Sequence, residues 1–342
     1  MAIHWPDPAV FLAWDLRVER IEAVRDAYRV VTARGQFCLK RASGPPERVE
    51  VIARALDHLT RRGFHQLTPF LLTRQGRPFC QHGEACYYLT EWLPGKRPDL
   101  SRPEMAASAA RCLASFHAAA EGFFDYGCLR QHLRQWPERL SERVRELRAL
   151  QADRTLEFKP DRFTEAFLAS AERWTGLAEW ALDLLAQSGY FEEVEAFRAR
   201  GGFCHGDPAE RNFVWWRGEP FLIDFDTLLV DLPVLDLARL VRRVDQNVQW
   251  RLELAEQMIG AYEAVRPLNA HQRGLLLALL AFPEKYWRVA HRYYRAREGK
   301  SRRHLLHRLA EVEASWGPVQ RFLPMLADRL GVGLPRPLPA GQ

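Results

Sequence analysis

Residues 203–226 read FCHGDPAERNFVWWRGEPFLIDFD. Asp207 stands five positions before Asn212, and Asp224 follows twelve residues later, at the end of the apolar run FLI. The turn-forming RGE inside the segment predicts a ribbon in which 213–216 and 221–224 pair. Such a ribbon carries Asp224 back toward Asn212, with Asp226 just beyond. A lone aspartate after a strand is usually a cap or turn residue, so the spacing of the set carries the reading, not any one member. Hard oxygen donors so arranged suit a divalent cation, and a neighbouring carboxylate can serve as a base.

Outward from this segment, the N-terminal part is β-prone. VERIEAV at 18–24, YRVVT at 28–32 and FCLKR at 37–41 are linked by RDA and ARGQ, which predicts a small antiparallel sheet. PERVEVIARALDHLTRRGF follows with helical apolar spacing and Gly63 as its stop. Further strands are expected near FLLTRQGRPF and at YYLTEWL, 87–93, which ends at Pro94-Gly95. The remainder reads as helical at 105–120, 129–150 and 162–189, through LARLVRRV, and at 249–265, 270–296 and 303–329. The expected fold class is α+β with two lobes: a small antiparallel β-lobe over 1–93 and a large mainly helical lobe over 94–330. A proline-rich tail at 331–342 is expected to be loose. A ligand cleft belongs between such lobes. Strand alternation turns Lys40 toward that cleft, with Arg41 as its competitor.

Composition narrows the function classes. The 342 residues are 47% hydrophobic, enough for a substantial core. A net charge of +6 suits an anionic substrate but is too modest to imply nucleic acid. No apolar run approaches the roughly 18 residues of a membrane span, so no transmembrane segment is expected. The opening MAIHWPDPAVFLAWDL does not read as a signal peptide. Cysteines at 38, 80, 86, 112, 128 and 204 form no close pairs, which favours reduced thiols and a cytoplasmic chain. Cys80, His82 and Cys86 fall short of the four ligands of a structural zinc site.

HGDPAERN followed by LIDFD resembles the catalytic loop and metal motif of the aminoglycoside phosphotransferase and choline kinase superfamily, which has the protein-kinase-like fold. TARGQFCLKR, LTRRGF, YYLTEWLPG, LASFH, CHGDPAERNF, LIDFD and DLPVLDLARLVRR resemble, in order, its CotS-like spore coat branch, over roughly residues 10–320. The resemblance implies an ATP- and Mg2+-dependent phosphotransferase acting on a hydroxyl of a small molecule. By motif, Asp207 corresponds to the catalytic base, and Asn212 and Asp224 to the metal ligands. Asp226 would support substrate or the loop, and His205 would support the loop. Asp236 matches the aspartate that ties a large-lobe helix to the catalytic loop, with Asp231 a lesser candidate. Lys40 would contact the α/β-phosphates, steadied by a glutamate of the next helix. Glu50 is favoured over Glu47 because it lies farther inside that helix. Main-chain groups near Glu91 and Leu93 would meet the nucleotide base. The link RDA departs from the glycine-rich phosphate loop of protein kinases, and Arg25 is a weak substitute. The resemblance also admits a catalytically weak protein with a structural role and spore coat protein contacts.

The acceptor is less legible. RVAHRYYRAREGKSRRHLLHR at 288–308 holds eight arginines and lysines against one glutamate. It reads as a solvated helix face or as a cationic wall for an anionic or sugar-phosphate acceptor. Glu284, Lys285, Tyr286 and Trp287 mix polar and aromatic groups as sugar-binding surfaces do, which favours a hydroxyl-bearing small molecule such as a sugar or amino sugar over a quaternary amine.

Overall fold

The computed structural model describes residues 5–158, 160–247, 250–295 and 301–339. A short helix, α1 (Ala9–Leu12), precedes β1 (Val18–Val24), β2 (Ala27–Thr32) and β3 (Gly35–Arg41). Then come α2 (Pro46–Arg61), β4 (Cys80–His82) and β5 (Ala85–Glu91). The five strands form one antiparallel sheet in the order β1-β2-β3-β5-β4. Val24 pairs with Ala27, so Arg25 and Asp26 make a two-residue hairpin turn, with Arg25 at φ +58°. Proline in the first turn opens α2, and its apolar stripe of Val49, Ile52, Leu56 and Leu59 is buried.

The strand expected within 70–79 is absent. Only Phe70 bridges to Thr90, and Thr73 and Arg77 close a turn around Gly76. Pro69 and Pro78 remove ladder donors on both sides, so pairing resumes only at β4.

The large lobe runs α3 (Pro103–Ala120), β6 (Arg130–Gln131), α4 (Trp136–Ala152), α5 (Arg162–Gln187), α6 (Tyr190–Arg200), β7 (Phe213–Trp216), β8 (Glu219–Leu222) and β9 (Leu229–Val230). It continues with α7 (Val234–Asn247), α8 (Leu252–Glu263), α9 (Ala270–Ala281), α10 (Glu284–Arg295), α11 (Ser301–Ala314) and α12 (Trp316–Leu330). The alanine-rich α3 is buried at Ala106, Ala109, Ala110, Leu113 and Phe116, where small side chains let α8 approach. One apolar cluster extends from α2 through α12, and a smaller one lies beneath β1–β3 and α1.

Several expected helices divide. The segment 129–150 becomes helical only at Trp136, because Arg130 and Gln131 pair in parallel with β9. Gly189, at φ +61°, follows the end of α5 and immediately caps α6, a helix not among those expected from the sequence. Pro283 lies between α9 and α10, where its ring and missing N–H forbid one helix over 270–296. The run 303–329 breaks at Ser315. Residues 249 and 296 lie outside the described residues.

The tail differs from its expectation. Through residue 339 it lies on the helical lobe: Trp180 Nε1 donates to the carbonyl of Arg336 at 2.7 Å, and Gln320 Nε2 to that of Pro339 at 2.9 Å. Arg336 also pairs with Asp183. These contacts hold the segment although its composition alone supplies no core. Residues 340–342 are outside the described residues.

Candidate active site

The chain crosses from the sheet to the helices through Glu91–Lys96. Trp92 N donates to the carbonyl of Gln36 at 3.0 Å, and Lys96 exchanges two backbone bonds with Trp215 of β7. Gly95 permits this approach, since a Cβ there would sit 2.4 Å from the Trp215 oxygen. Glu91 ends β5 opposite Phe37, and Leu93 follows in the connecting segment.

Past that crossing, the segment 203–226 folds as a loop and a ribbon. Phe213 pairs with Leu222 and Trp216 with Glu219 around a turn at Arg217 and Gly218. The ribbon therefore pairs 213–216 with 219–222 and ends two residues before Asp224, not at it. Ile223 N donates to the carbonyl of Asn212 at 3.0 Å, which keeps the Asp224 side of the ribbon beside the loop. Asp224 itself sits at φ +68°, left-handed geometry that costs a non-glycine residue roughly 1–2 kcal/mol. Aspartate tolerates it best among charged residues, and such outliers gather at functional sites.

The loop is held from below by fully buried groups. Asp236, in the first turn of α7, accepts from His205 N at 2.6 Å and from Gly206 N at 3.0 Å. It also meets His117 Nε2 at 3.3 Å. Burial opposes its charge, but His117, Arg239 and His205 outweigh burial and hold its carboxyl below the usual range. His205 is 0% exposed. Its Nε2 lies 3.0 Å from the Ile223 carbonyl, and its Nδ1 faces Asp207 N at 3.3 Å. Burial pushes the His205 imidazole down, which suits a neutral ring that donates on one side and accepts on the other. Gly206, at φ +87°, is required: a Cβ would lie 2.2 Å from the Thr227 oxygen. Asp231, expected as a lesser support, accepts from Trp136 Nε1 and Leu232 N instead, and burial lifts its carboxyl to about 7.

Asp207 projects from this loop. It pairs with Arg211 and, at 2.5 Å, with Arg243. Asn212 Nδ2 donates to its carbonyl at 2.8 Å and to its carboxylate at 3.1 Å. With the amide nitrogen so committed, Asn212 Oδ1 is the atom able to take a cation.

Lys40 reaches the same region from β3 and is only 8% exposed. Its ammonium pairs with Asp224, with Asp26 at 3.2 Å and with Asp226 at 3.3 Å. Burial disfavours the charged lysine, but Asp226, Asp224 and Asp26 outweigh it and leave the pKa raised. Burial likewise pushes the Asp226 carboxyl up, against the pull of Lys40 and with the push of Asp224. Three carboxylates around one ammonium leave an excess of negative charge. A hard divalent cation held by Asp224 and Asn212 Oδ1 fits that donor set.

Neither Glu47 nor Glu50 is in an ion pair with Lys40 among the described residues. In place of a glutamate, α2 turns Arg48 inward. Its guanidinium donates to the carbonyls of Cys128, Asp226 and Leu228 at 2.9–3.0 Å, tying α2 to the turn after Asp224. An arginine amid the apolar face of PERVEVIARAL was the only signal for it. Arg25 and Arg41 are exposed, and Asp26 is the turn residue that meets Lys40. Of the basic stretch 288–308, Arg288 reaches the cavity beside Asp207, while 296–300 lie outside the described residues. Tyr286 is core, stacked on Phe167 and Trp174.

The family model described as "Spore coat putative kinase YutH" matches residues 9–326, and the chain belongs to that family. Spore coat protein S of Bacillus subtilis (strain 168) is 28% identical over 273 residues, 79% of this chain and 77% of that protein. An aminoglycoside phosphotransferase from Alicyclobacillus acidocaldarius subsp. acidocaldarius DSM 446 matches with a TM-score of 0.89 at 26% identity, over 97% of this chain and 98% of that one. The AMP-bound complex of spectinomycin phosphotransferase APH(9)-Ia matches with a TM-score of 0.59 at 14% identity, over 90% and 96%, and so shares the fold. The expected kinase-like fold, with an antiparallel sheet in one lobe and helices in the other, is the one observed. No helix among the described residues is long and apolar enough to cross a membrane.

Proposed function

We propose that this chain transfers the γ-phosphoryl group of ATP, with Mg2+, to a hydroxyl of a small molecule. The observation that carries the reading is the contact across the cleft between Lys40 of β3 and Asp224, beside the loop that bears Asp207 and Asn212. Lys40 would hold the α/β-phosphates, and backbone groups near Glu91 and Leu93 the nucleotide base. Asp224 and Asn212 would hold the metal, which neutralises phosphate charge when bound. Asp207 orients the acceptor hydroxyl and takes its proton. The acceptor oxygen bonds to the γ-phosphorus as the bond to the β-phosphate oxygen breaks, releasing ADP. His205, Asp226 and Asp236 position this loop. The AMP bound by spectinomycin phosphotransferase supports a nucleotide in the cleft.

A second reading, a coat component with little turnover, is favoured by one observation. Asp26, in the glycine-free turn, places a carboxylate on Lys40, where phosphate oxygens would otherwise sit. The name of the Bacillus relative supports a coat association.

Calorimetric titration of ATP with and without Mg2+ separates the two readings. The phosphotransferase reading expects binding that needs magnesium and that Asp224→Ala loses. Binding indifferent to magnesium sinks it.

A further inference from the structure

We propose that the acceptor is itself anionic: a phosphorylated saccharide or polyol, seated in an arginine-lined cavity that opens beside Asp207. The word acceptor rests on the phosphotransferase reading above; the anion site stands on its own geometry. The cavity encloses about 470 Å³, within the usual range for small-molecule sites.

Three helices aim cations into it. Arg139 and Arg143 lie one turn apart on α4, and Arg239, Arg242 and Arg243 share one face of α7. α10 adds Arg288, with Lys285 one turn earlier. Asp207 and Glu284 are the only acidic residues in the wall among the described residues. Glu284 is taken by Arg143, whose guanidinium also lies 4.2 Å from the Trp287 ring centroid. Asp207 is taken by Arg243, and Lys285 pairs with Glu311 at 3.0 Å. Arg239 donates to the neutral carbonyl of Gly206. Arg139, Arg239, Arg242 and Arg288 therefore face the cavity without an ion-paired carboxylate among the described residues.

Arg242 is the most telling of these. Its Nε is buried with no hydrogen-bond partner among the described residues. Burial pushes its guanidinium down to about 10; Glu284 opposes that shift, while Arg288, Arg239 and Arg143 add to it. A partly buried guanidinium whose Nε has no partner, and whose opposing carboxylate Glu284 is already taken by Arg143, is costly, and the cost is relieved when an anion arrives. An amino sugar would add to the repulsion, and a neutral sugar would leave the guanidiniums unpaired. A phosphate monoester brings a charge of about −1.5 to −2 and oxygens that match the guanidinium fork, where a carboxylate brings only one charge. Trp136 and Phe282 supply apolar wall for a ring or carbon chain.

The test is calorimetry on the full chain without nucleotide, using glucose 6-phosphate, glucuronate, glucose and glucosamine as probes, followed by turnover with ATP and Mg2+. Glucose 6-phosphate is expected to bind about tenfold or more tighter than glucose or glucosamine. Its affinity should fall as salt rises. Arg242→Gln and, separately, Arg139→Gln should each weaken it about tenfold, with melting curves showing that both variants fold. Equal or tighter binding of glucose or glucosamine overturns the proposal. So does absence of glucose 6-phosphate binding, or binding that neither variant changes. Tighter binding of glucuronate overturns the choice of phosphate. Phosphorylated-sugar binding that never leads to phosphate transfer upholds the anion site and sinks the phosphotransferase reading. Transfer to neutral or amino sugars alone does the reverse.

Discussion

The Lys40 cluster and the arginine cavity are joined by one loop, His205–Asn212, and they carry opposite charge. Around Lys40, Asp26, Asp224 and Asp226 bring three carboxylates to a single ammonium. In the cavity, six arginines and Lys285 face two carboxylates, both already paired. Neither region is electrically complete. One lacks cations, as a metal site does, and the other lacks anions, as a phosphate site does. Asp207 belongs to both. Arg243 of the cavity grips its carboxylate, and Asn212 of the loop beside Asp224 holds its backbone and its side chain.

The sharpest way to break this comparison is at the shared residue. Asp207→Asn is expected to lower phosphate transfer by about 10²–10⁴-fold while leaving magnesium-dependent ATP binding in place. A steady-state assay with parallel calorimetry checks it. Loss of nucleotide binding together with turnover would put Asp207 among the metal ligands and merge the two regions.

The cationic side can be probed through Asp231, which accepts from the cavity residue Trp136. Burial raises its carboxyl from the ordinary 3.8 to about 7 in the folded chain. Its proton is therefore held more tightly folded than unfolded. That contribution to stability is full below about pH 4 and is lost as pH rises toward 7. The urea midpoint of the wild type, measured relative to Asp231→Asn, should fall across this window and level off above it. A flat difference would mean that the carboxyl is not buried neutral.

The smallest effect is expected at the anionic side. Asp26→Asn removes one of the three negative charges around Lys40. Because the Asp26 side chain is 70% exposed, the ion pair is weak, and a gain of only about two- to fivefold in ATP affinity is expected. Unchanged or weaker binding would show that Asp26 does not compete with phosphate.

Much of the Lys40 side was legible. The spacing of Asp207, Asn212 and Asp224 is local, and turn chemistry at Arg217 and Gly218 closes the ribbon within a few residues of where it was expected. Lys40 lies on the third strand, as expected of FCLKR, opposite Ala27 and Tyr88. The partners of Lys40 were not legible. Choosing Glu50 required knowing how α2 is rotated against the sheet, and packing of its apolar stripe turns Arg48 inward instead. The cavity was legible only in fragments. Basic residues are densest in 288–308, yet most arginines of the cavity come from scattered positions along α4 and α7.

The sequence by itself determined which short segments form the candidate site, the order of a β-lobe before a helical lobe, and the family. Those features depend on periodicity, turns and spacing, which act over a few residues. Tertiary structure alone decided which charges meet. Asp26 and Asp224 lie on opposite sides of Lys40 in the chain, Asp224 by 184 residues, and three helices far apart in sequence aim their arginines at one space. Electrostatic energy depends on distance and burial in the folded molecule, and neither is written in the local pattern.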